Sequence, residues 1–381
     1  MARVLLAWEF GQGFGHLQRL LPIALELRSR GHECFLFVRE VQSSHVILKP
    51  HGVPFLPIPR LPRAVEHSTP QNKPLDLIVD ADFSDASRLQ LKVDIWDSIL
   101  AVTKPDVLVA DTSPTACLAA RGTDIVTVIV GNGTFVPAGD GSDIALPPAI
   151  LDSVNAVQKD RSRPAVNSLA DILSAKRMFI TTLPELDKLD AQRTDENRCG
   201  PLRPLPPPTD AEPSVDYFAY LAHPRDIDVM LEGLIESGLR GSVFLRDVPL
   251  ERVRAFQARG LTIYTEPRNL PEELSRAALF IHHAGPGAME VAMAVGRPQF
   301  LLPTYPEQGY YAQAALRLGI AAAPSRRTPL TPQRIADAAR SLARQAELRA
   351  KAQAFSRTLA ARGPFRGAVK ISDAVEQLLA R

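Results

Sequence analysis

The chain has 381 residues, of which 44 are Lys or Arg and 42 are Asp or Glu, so its formal net charge is +2 at pH 7. That length suffices for two domains with separate cores, and an apolar fraction of 45% with a charged fraction of 23% is ordinary globular usage. This composition excludes large-scale disorder, collagen-like sequence and coiled coil, and the balanced charge argues against a dedicated nucleic-acid binder. Cys34, Cys117 and Cys199 are too far apart in sequence to indicate a disulfide framework or a zinc site.

The first part of the chain alternates short apolar runs with a helical pattern. Residues 4–8 are typical of a buried strand, and from Leu17 apolar residues recur at helical spacing. Residues 51–74 are rich in proline and are predicted to form mostly a surface loop. Further buried strands are predicted over residues 33–38, 107–110 and 125–130. This alternation predicts a parallel sheet covered by helices.

A proline-dense segment, residues 200–213, precedes a second region of the same kind. Its composition favours a stiff, extended connector. Helices are predicted over residues 227–237, from near Pro286, and in the arginine-rich sequence from Thr331 onward. Strands are predicted over residues 217–221, 242–245, 261–264, 279–282 and 299–302.

The predicted fold class is α/β, with two Rossmann-like, doubly wound domains. Residues 1–203 are the first domain, 204–213 the linker, 214–363 the second domain and 364–381 a C-terminal helix. Two such domains joined by a linker are expected to face each other across a cleft, with ligands at the carboxyl ends of the strands. No run of 18 apolar residues indicates a membrane span. We therefore expect a cytoplasmic protein, with peripheral attachment to the inner membrane face left open.

A glycine loop with Gly11, Gly13 and Gly15 separates the first predicted strand from the first helix. Glycines there permit a tight turn and let a ligand approach the backbone closely. Glu40, at the end of the next strand, suits a dinucleotide fingerprint. The sixth position of that fingerprint is His16 rather than a small residue, however, which disfavours a dinucleotide site.

His16 begins the first helix, where the positive end of the helix dipole favours a neutral, basic imidazole. Such an imidazole beside a ligand site suits a general base. Asp111 ends a predicted strand and is expected at the same edge of the sheet, where its carboxylate could orient His16 and stabilise the imidazolium. The alternatives are that His16 only packs or caps its helix, and that Asp111 caps the helix beginning near Ser113.

A second strand, glycine loop and helix occupy residues 279–302. Pro286 suits a first helical turn, because that position needs no N–H. The free N–H groups of the same turn would form an anion site suited to a diphosphate. An ordinary strand-to-helix turn explains the pattern equally well, so the loop by itself does not distinguish an anion site from such a turn.

Spaced motifs over most of the chain resemble those of the nucleotide-sugar-dependent glycosyltransferases of the GT-B fold, especially their bacterial natural-product and flavonoid-type branch. GFGH at residues 13–16 places His16 at the family's catalytic base, and Asp111 falls at the aspartate that partners it. CGPL at residues 199–202 resembles the segment that precedes the family's linker. The family's His-Gly-Gly-x-Gly-Thr loop, Gly-x-Pro, Leu-Pro and Asp-Gln pair correspond to residues 283–288, Gly296-Arg297-Pro298, Leu302-Pro303 and Glu307-Gln308.

The resemblance implies a metal-independent, inverting transfer of a sugar from a UDP- or dTDP-sugar to the hydroxyl of a small-molecule or lipid acceptor, with no cofactor. It also implies that residues 364–381 pack back on the first domain. His16 would remove the acceptor proton and Asp111 would stabilise the charged histidine. The implied donor-binding residues are His223, Pro267, His283, Gly285, Pro286, Gly287, Ala288, Glu290, Glu307 and Gln308. The implied acceptor-binding residues are Phe14, Gly15, Arg60 and His67.

The sequence departs from the family at several donor positions. The family's acidic helix residue falls at Val291, and Glu290 is about 100° away around the helix. Its threonine is Ala288, its Gly-Ser turn is residues 222–224, and the asparagine after the Asp-Gln pair is Tyr311. These departures leave two alternatives open: a sugar-nucleotide epimerase of the same fold, and a non-catalytic relative that binds a sugar nucleotide or a partner protein.

Overall fold

The structure is a computed structural model that describes residues 1–11, 13–58, 61, 74–222, 226–325 and 327–380. It divides into two compact units. The first is Met1–Arg203 together with Phe365–Arg381, and the second is Pro204–Pro364.

A six-stranded parallel sheet forms the centre of the first unit, in the order β3-β2-β1-β4-β5-β6. Its strands are β1 (Arg3–Trp8), β2 (Glu33–Val38), β3 (Phe55–Pro57), β4 (Val107–Asp111), β5 (Val126–Gly131) and β6 (Arg177–Ile180). Its first helices are α1 (Phe14–Ser29), α2 (Val41–Leu48), α3 (Pro74–Asp80), α4 (Ala86–Thr103), α5 (Pro114–Ala120), α6 (Pro148–Asp160) and α7 (Leu169–Leu173). Short 3-10 turns lie at Lys49–His51, Pro184–Leu186 and Asp190–Gln192.

Both faces of this sheet are buried, which explains why its strands are continuous apolar runs. Leu5 and Ala7 of β1 pack into the cluster on one face, and Leu6 and Trp8 into the cluster on the other. At the edge, Phe55–Pro57 pairs with β2, within residues that we predicted to be mostly loop. Of that predicted loop, residues 59–60 and 62–73 lie outside the described residues.

The second unit contains another six-stranded parallel sheet, in the order β12-β11-β10-β7-β8-β9. Its strands are β7 (Val215–Ala222), β8 (Gly241–Arg246), β9 (Thr262–Tyr264), β10 (Ala277–His282), β11 (Gln299–Leu301) and β12 (Ala321–Ala322). Its helices are α8 (Ile227–Ser237), α9 (Leu250–Gln257), α10 (Leu270–Arg276), α11 (Pro286–Val295), α12 (Pro306–Arg317), α13 (Pro332–Ala343) and α14 (Ala346–Ala360).

The two sheets share one topology. When the strands are counted within each unit, both have the doubly wound order 3-2-1-4-5-6, which reverses direction between its first and fourth strands. Ligands bind at the carboxyl ends of the strands at such switch points. The predicted α/β class with two Rossmann-like, doubly wound domains is confirmed, and it directs attention to the ends of β1 and β4 and of β7 and β10.

The last helix, α15 (Gly367–Leu379), packs on α1 in the first unit. Arg30, which follows α1, donates hydrogen bonds of 2.7 Å to both Asp373 and Glu376. Gly200 has a φ of +66°, and a Cβ on it would overlap the ring of Phe365. A glycine at this position therefore leaves room for Phe365 in the segment that leads into α15. Among the described residues, no helix combines the length and apolar character that crossing a bilayer requires.

Arginines of α14 bind acidic residues that immediately precede β7. Arg349 lies 3.2 Å from Glu212, and Arg357 lies 2.7 Å from Asp210. Part of the arginine-rich sequence therefore pairs residues 210–212 with α14 within the second unit.

Candidate active site

The first switch point brings His16 and Asp111 together, as the sequence predicted. Trp8 and Asp111 end β1 and β4 as register partners, so both side chains lie at the carboxyl edge of the sheet. The helix α1 starts just beyond, after Gly13, whose φ of 89° and ψ of −179° suit only glycine. This turn places His16 in the first helical turn, with its Nδ1 3.0 Å from Oδ2 of Asp111.

The surroundings of Asp111 decide the protonation of the pair. Its side chain is fully buried, while that of His16 is 14% exposed. Burial alone would raise the pKa of Asp111, but the charges of Arg19 and His16 outweigh this and hold it below its usual value. The carboxylate is therefore ionised and can only accept hydrogen bonds. It follows that Nδ1 of His16 carries a proton, and that in the neutral ring Nε2 is left with the lone pair.

Gly11 of the glycine loop lies directly beside Nε2 of His16. A Cβ on Gly11 would overlap Nε2, and Gly11 has a φ of +88° that favours glycine. Stacking on Trp8 holds the ring, with centroids 4.9 Å apart and planes 15° apart. Among the described residues, Nε2 accepts no hydrogen bond. The imidazole is thus fixed in orientation, and no described residue hydrogen-bonds its basic nitrogen.

The alternative that Asp111 caps the following helix is wrong. Ser113 is the N-cap of α5, and Oδ2 of Asp111 binds His16 and Arg19 instead. At the start of α5, the carboxylate of Glu9 accepts a hydrogen bond from the N–H of Thr115 at 3.1 Å. Burial raises the pKa of Glu9.

Two residues at this site were missed by the sequence analysis. Arg19 donates from Nη1 to Oδ2 of Asp111 at 2.5 Å and from Nε to Oγ1 of Thr181 at 2.8 Å. A signal for Arg19 existed, because it lies one turn after His16 on the same face of α1. Thr181 follows β6, a strand that the sequence patterns did not indicate.

The predicted acceptor-binding residues are only partly placed. Phe14 is the half-buried first residue of α1, and Gly15 is exposed, with no atom within 4 Å of an added Cβ. Arg60 and His67 lie outside the described residues.

The second switch point also holds a histidine, His283, directly after β10. Its Nδ1 lies 2.8 Å from the carbonyl oxygen of Leu302, so Nδ1 donates there. Its Nε2 is buried without a hydrogen-bond partner among the described residues. Burial lowers the pKa of His283, so the imidazole is neutral at pH 7 and Nε2 is an unprotonated acceptor.

The helix α11 begins three residues later, at Pro286, with a partly exposed first turn. Ala284 has a φ of +61°, Gly285 is the N-cap and Pro286 is the first helical residue. Because proline lacks an N–H, Gly287 and Ala288 present the first amide protons of the helix. A Cβ on Gly285 or Gly287 would meet no described atom within 4 Å, so a ligand can reach these groups. The positive end of the helix dipole here suits an anion.

Glu307 and Gln308 lie at the start of α12, after β11, which neighbours β10 in the sheet. The Oε1 of Gln308 accepts from the N–H of Thr304 at 2.8 Å and from that of Tyr305 at 3.2 Å. Gln308 therefore caps α12 and keeps its amide nitrogen as the group available to a ligand. Glu307 accepts from the hydroxyl of Tyr311 at 3.3 Å.

The remaining predicted donor residues differ in accessibility. Glu290 is buried within α11, at 8% exposure. Pro267 is exposed between β9 and α10. His223 lies outside the described residues. Over the described part of the chain, no group of three or more His, Cys, Asp or Glu side chains is arranged to hold a metal ion.

Comparison with known sequences finds related glycosyltransferases. The chain is 36% identical over 109 residues to glycosyltransferase GtfC of Amycolatopsis orientalis, a match covering 29% of this chain and 26% of that protein. It is 26% identical over 246 residues to glycosyltransferase GtfE of the same organism, covering 57% of this chain and 58% of that protein. The matched segments thus span between about a quarter and three fifths of these relatives. No protein-family model matches the chain.

Solved structures share the whole fold. The glycotransferase of kitacinnamycin superposes with a TM-score of 0.69 at 15% identity, covering 99% of this chain and 98% of that chain. SsfS6 of Streptomyces sp. SF2575, a glycosyltransferase complexed with thymidine diphosphate, gives a TM-score of 0.62 at 16% identity, covering 99% and 100%. The fold is therefore that of the GT-B glycosyltransferases, and the predicted resemblance to their natural-product branch is confirmed.

Proposed function

We propose that this chain is a glycosyltransferase that moves a sugar from a UDP- or dTDP-sugar to an acceptor hydroxyl, with inversion and without a metal ion. The observation that carries the proposal is the pairing of Nδ1 of His16 with the buried carboxylate of Asp111 at a switch point, while no described residue hydrogen-bonds Nε2. The fold and the named relatives support the reaction class.

In the proposed reaction, Nε2 of His16 takes the proton of the acceptor hydroxyl as its oxygen attacks the anomeric carbon. The bond from that carbon to the diphosphate oxygen breaks, and the nucleoside diphosphate leaves with the electron pair. Asp111 stabilises the imidazolium that forms, because the buried carboxylate lies against Nδ1. A general base of this kind contributes about 10²- to 10⁴-fold to a rate.

The second unit would hold the donor. The first amide groups of α11 form a helix start of the kind that binds phosphate, and they would stabilise charge on the leaving diphosphate in place of a metal. Among the described residues, Nε2 of His283 makes no hydrogen bond of ordinary geometry, although the main-chain carbonyl of Ala222 lies close enough to the ring to favour its protonated form. The neighbouring structure of SsfS6 holds thymidine diphosphate, which makes dTDP-sugars the first donors to test.

The test combines a donor panel with substitution of the base. Purified protein is incubated with labelled UDP- and dTDP-sugars, and slow donor hydrolysis or transfer to added acceptors is measured. We expect His16→Ala to reduce the rate by about 10²- to 10⁴-fold while binding of dTDP by calorimetry is nearly unchanged. The matched control is His45→Ala, an exposed histidine of α2. Loss of dTDP binding together with activity would mean that His16 is structural.

The same panel separates the alternatives. An epimerase would convert the donor to its epimer without transfer or release of the nucleotide. A non-catalytic relative would bind a sugar nucleotide and leave it unchanged. Failure to bind any member of the panel would exclude both enzymatic functions.

A further inference from the structure

Arg19 and His16 converge on a single oxygen of Asp111. Nη1 of Arg19 lies 2.5 Å from Oδ2, and Nδ1 of His16 lies 3.0 Å from the same atom. The Asp111 side chain is fully buried and that of Arg19 is 10% exposed, so water screens neither interaction well. Oδ1, the other oxygen, has no hydrogen-bond partner among the described residues.

Arg19 is anchored independently of Asp111. Its Nε donates to Oγ1 of Thr181 at 2.8 Å, and Thr181 in turn donates to the carbonyl of Gly131 at the end of β5. The guanidinium of Arg19 is therefore held by both Thr181 and Asp111. Its contact with Oδ2 helps to fix the carboxylate so that this oxygen faces Nδ1 of His16.

We propose that Arg19 is a positioning residue for the His16–Asp111 pair: it holds Oδ2 toward the imidazole and weakens the attraction of the carboxylate for a proton on His16. The inference rests on the proposed role of His16 as a base. A carboxylate shared with a permanent cation still orients His16, yet it favours the imidazolium less than an unshared one would. Arg19 thereby sets how strongly Asp111 stabilises a proton on His16.

Two other charged side chains near the start of α1, those of Glu40 and Glu9, form hydrogen bonds with groups other than His16. Glu40, which precedes α2, accepts from the N–H of Gly13 at 3.3 Å. Glu9, at the end of β1, accepts from Trp96 and Thr115. Among the described residues, Asp111 from β4 is the charged group that hydrogen-bonds His16, and Arg19 from α1 hydrogen-bonds the same carboxylate oxygen.

The test is Arg19→Gln, read first by NMR titration of the His16 imidazole in isotopically labelled protein, with its signal assigned by its loss in His16→Ala. We expect the pKa of His16 to rise by about one unit, because a nearby cation is removed. In activity assays, the acid limb of the kcat profile should move up by the same amount. The kcat at its optimum should fall about 10- to 100-fold, with the donor KM unchanged.

Two variants serve as controls. Arg19→Lys keeps the charge and should restore the His16 pKa to within about 0.3 unit of wild type. Arg30→Gln removes an arginine at the far end of α1, where it pairs with Glu26, Asp373 and Glu376. At that distance solvent screens its charge, and the His16 pKa should not change.

An unchanged His16 pKa in folded Arg19→Gln would overturn the inference. A rise in the His16 pKa in Arg19→Lys equal to that in Arg19→Gln would also overturn it. If Arg19→Gln does not fold, Thr181→Val replaces it: loss of the second anchor should raise the His16 pKa by a smaller step, and no rise would overturn the inference. Because the titration needs no substrate, it tests the role of Arg19 even if the wild-type protein transfers no sugar. Absence of transfer would refute the proposed function and not the role of Arg19.

Discussion

The two switch points of this chain have the same topology and each presents a histidine that donates through Nδ1, but the acceptors differ. His16 donates to a buried carboxylate, and His283 donates to the main-chain carbonyl of Leu302. A carboxylate stabilises the imidazolium, whereas a neutral carbonyl in a buried setting does so far less. The comparison teaches that the partner of Nδ1 separates a histidine suited to take up a proton during a reaction from one suited to contact a ligand.

The strongest way to break this contrast is Asp111→Asn. The amide cannot stabilise the imidazolium and allows the wrong tautomer, so we expect kcat to fall by up to about 10⁴-fold with dTDP affinity unchanged. Steady-state kinetics and calorimetry check both parts.

The control for lost stability is Asp187→Asn, which disrupts another buried aspartate–arginine pair of the first unit, with Arg193. A comparable loss of kcat in both variants would show that Asp111 acts only through folding.

A second prediction concerns the space beside Nε2. Gly11→Ala should reduce kcat about 10- to 100-fold, since the added Cβ overlaps Nε2 of His16 and displaces the ring. Gly31→Ala is a matched control, because Gly31 has the same φ of +88° but nothing within 4 Å of an added Cβ.

Both glycine variants should lose about 1 kcal/mol of folding free energy from the left-handed backbone. Denaturant unfolding measures that loss, and kinetics separate the two variants. Equal activity in Gly11→Ala and Gly31→Ala would contradict the assignment of Nε2 as the nitrogen that accepts the proton of the acceptor hydroxyl.

A third prediction sharpens the role of the other histidine. Because burial lowers the pKa of His283, its Nε2 must gain a proton before it can donate to a phosphate oxygen. Binding of dTDP should therefore take up a fraction of a proton and tighten as the pH falls from 8 toward 6. Calorimetry in buffers of different ionisation enthalpy measures this uptake.

His283→Asn should weaken dTDP binding by about tenfold and remove the extra proton uptake. The nucleotide's own phosphate also titrates in this range, so the difference between wild type and variant is the relevant quantity. Identical uptake in both proteins would exclude His283 as a phosphate contact.

Much of the architecture could be predicted from sequence. The strands β2 and β10 and the helix α8 follow from uninterrupted apolar runs or helical spacing, because burial on both faces of a parallel sheet leaves few polar positions. The glycine loop before α1 was also visible, since turns that need a positive φ select glycine, as at Gly11 and Gly13. The loop before α11 was visible too, although the residue with a positive φ there is Ala284. The His16–Asp111 pair could be inferred because both residues end or follow strands at one edge of a sheet.

Other features were decided by the tertiary structure alone. Arg19 meets Asp111 across 92 residues of sequence and Thr181 across 162, and no local pattern encodes which long side chain reaches a buried carboxylate. The sequence resemblance implied that Gln308 binds sugar, while the structure gives its carbonyl oxygen to the start of α12. Local periodicity thus determined the elements, because it reflects which faces are buried. The partners of individual polar atoms were settled only where distant segments meet, because hydrogen bonds depend on positions to within a fraction of an ångström.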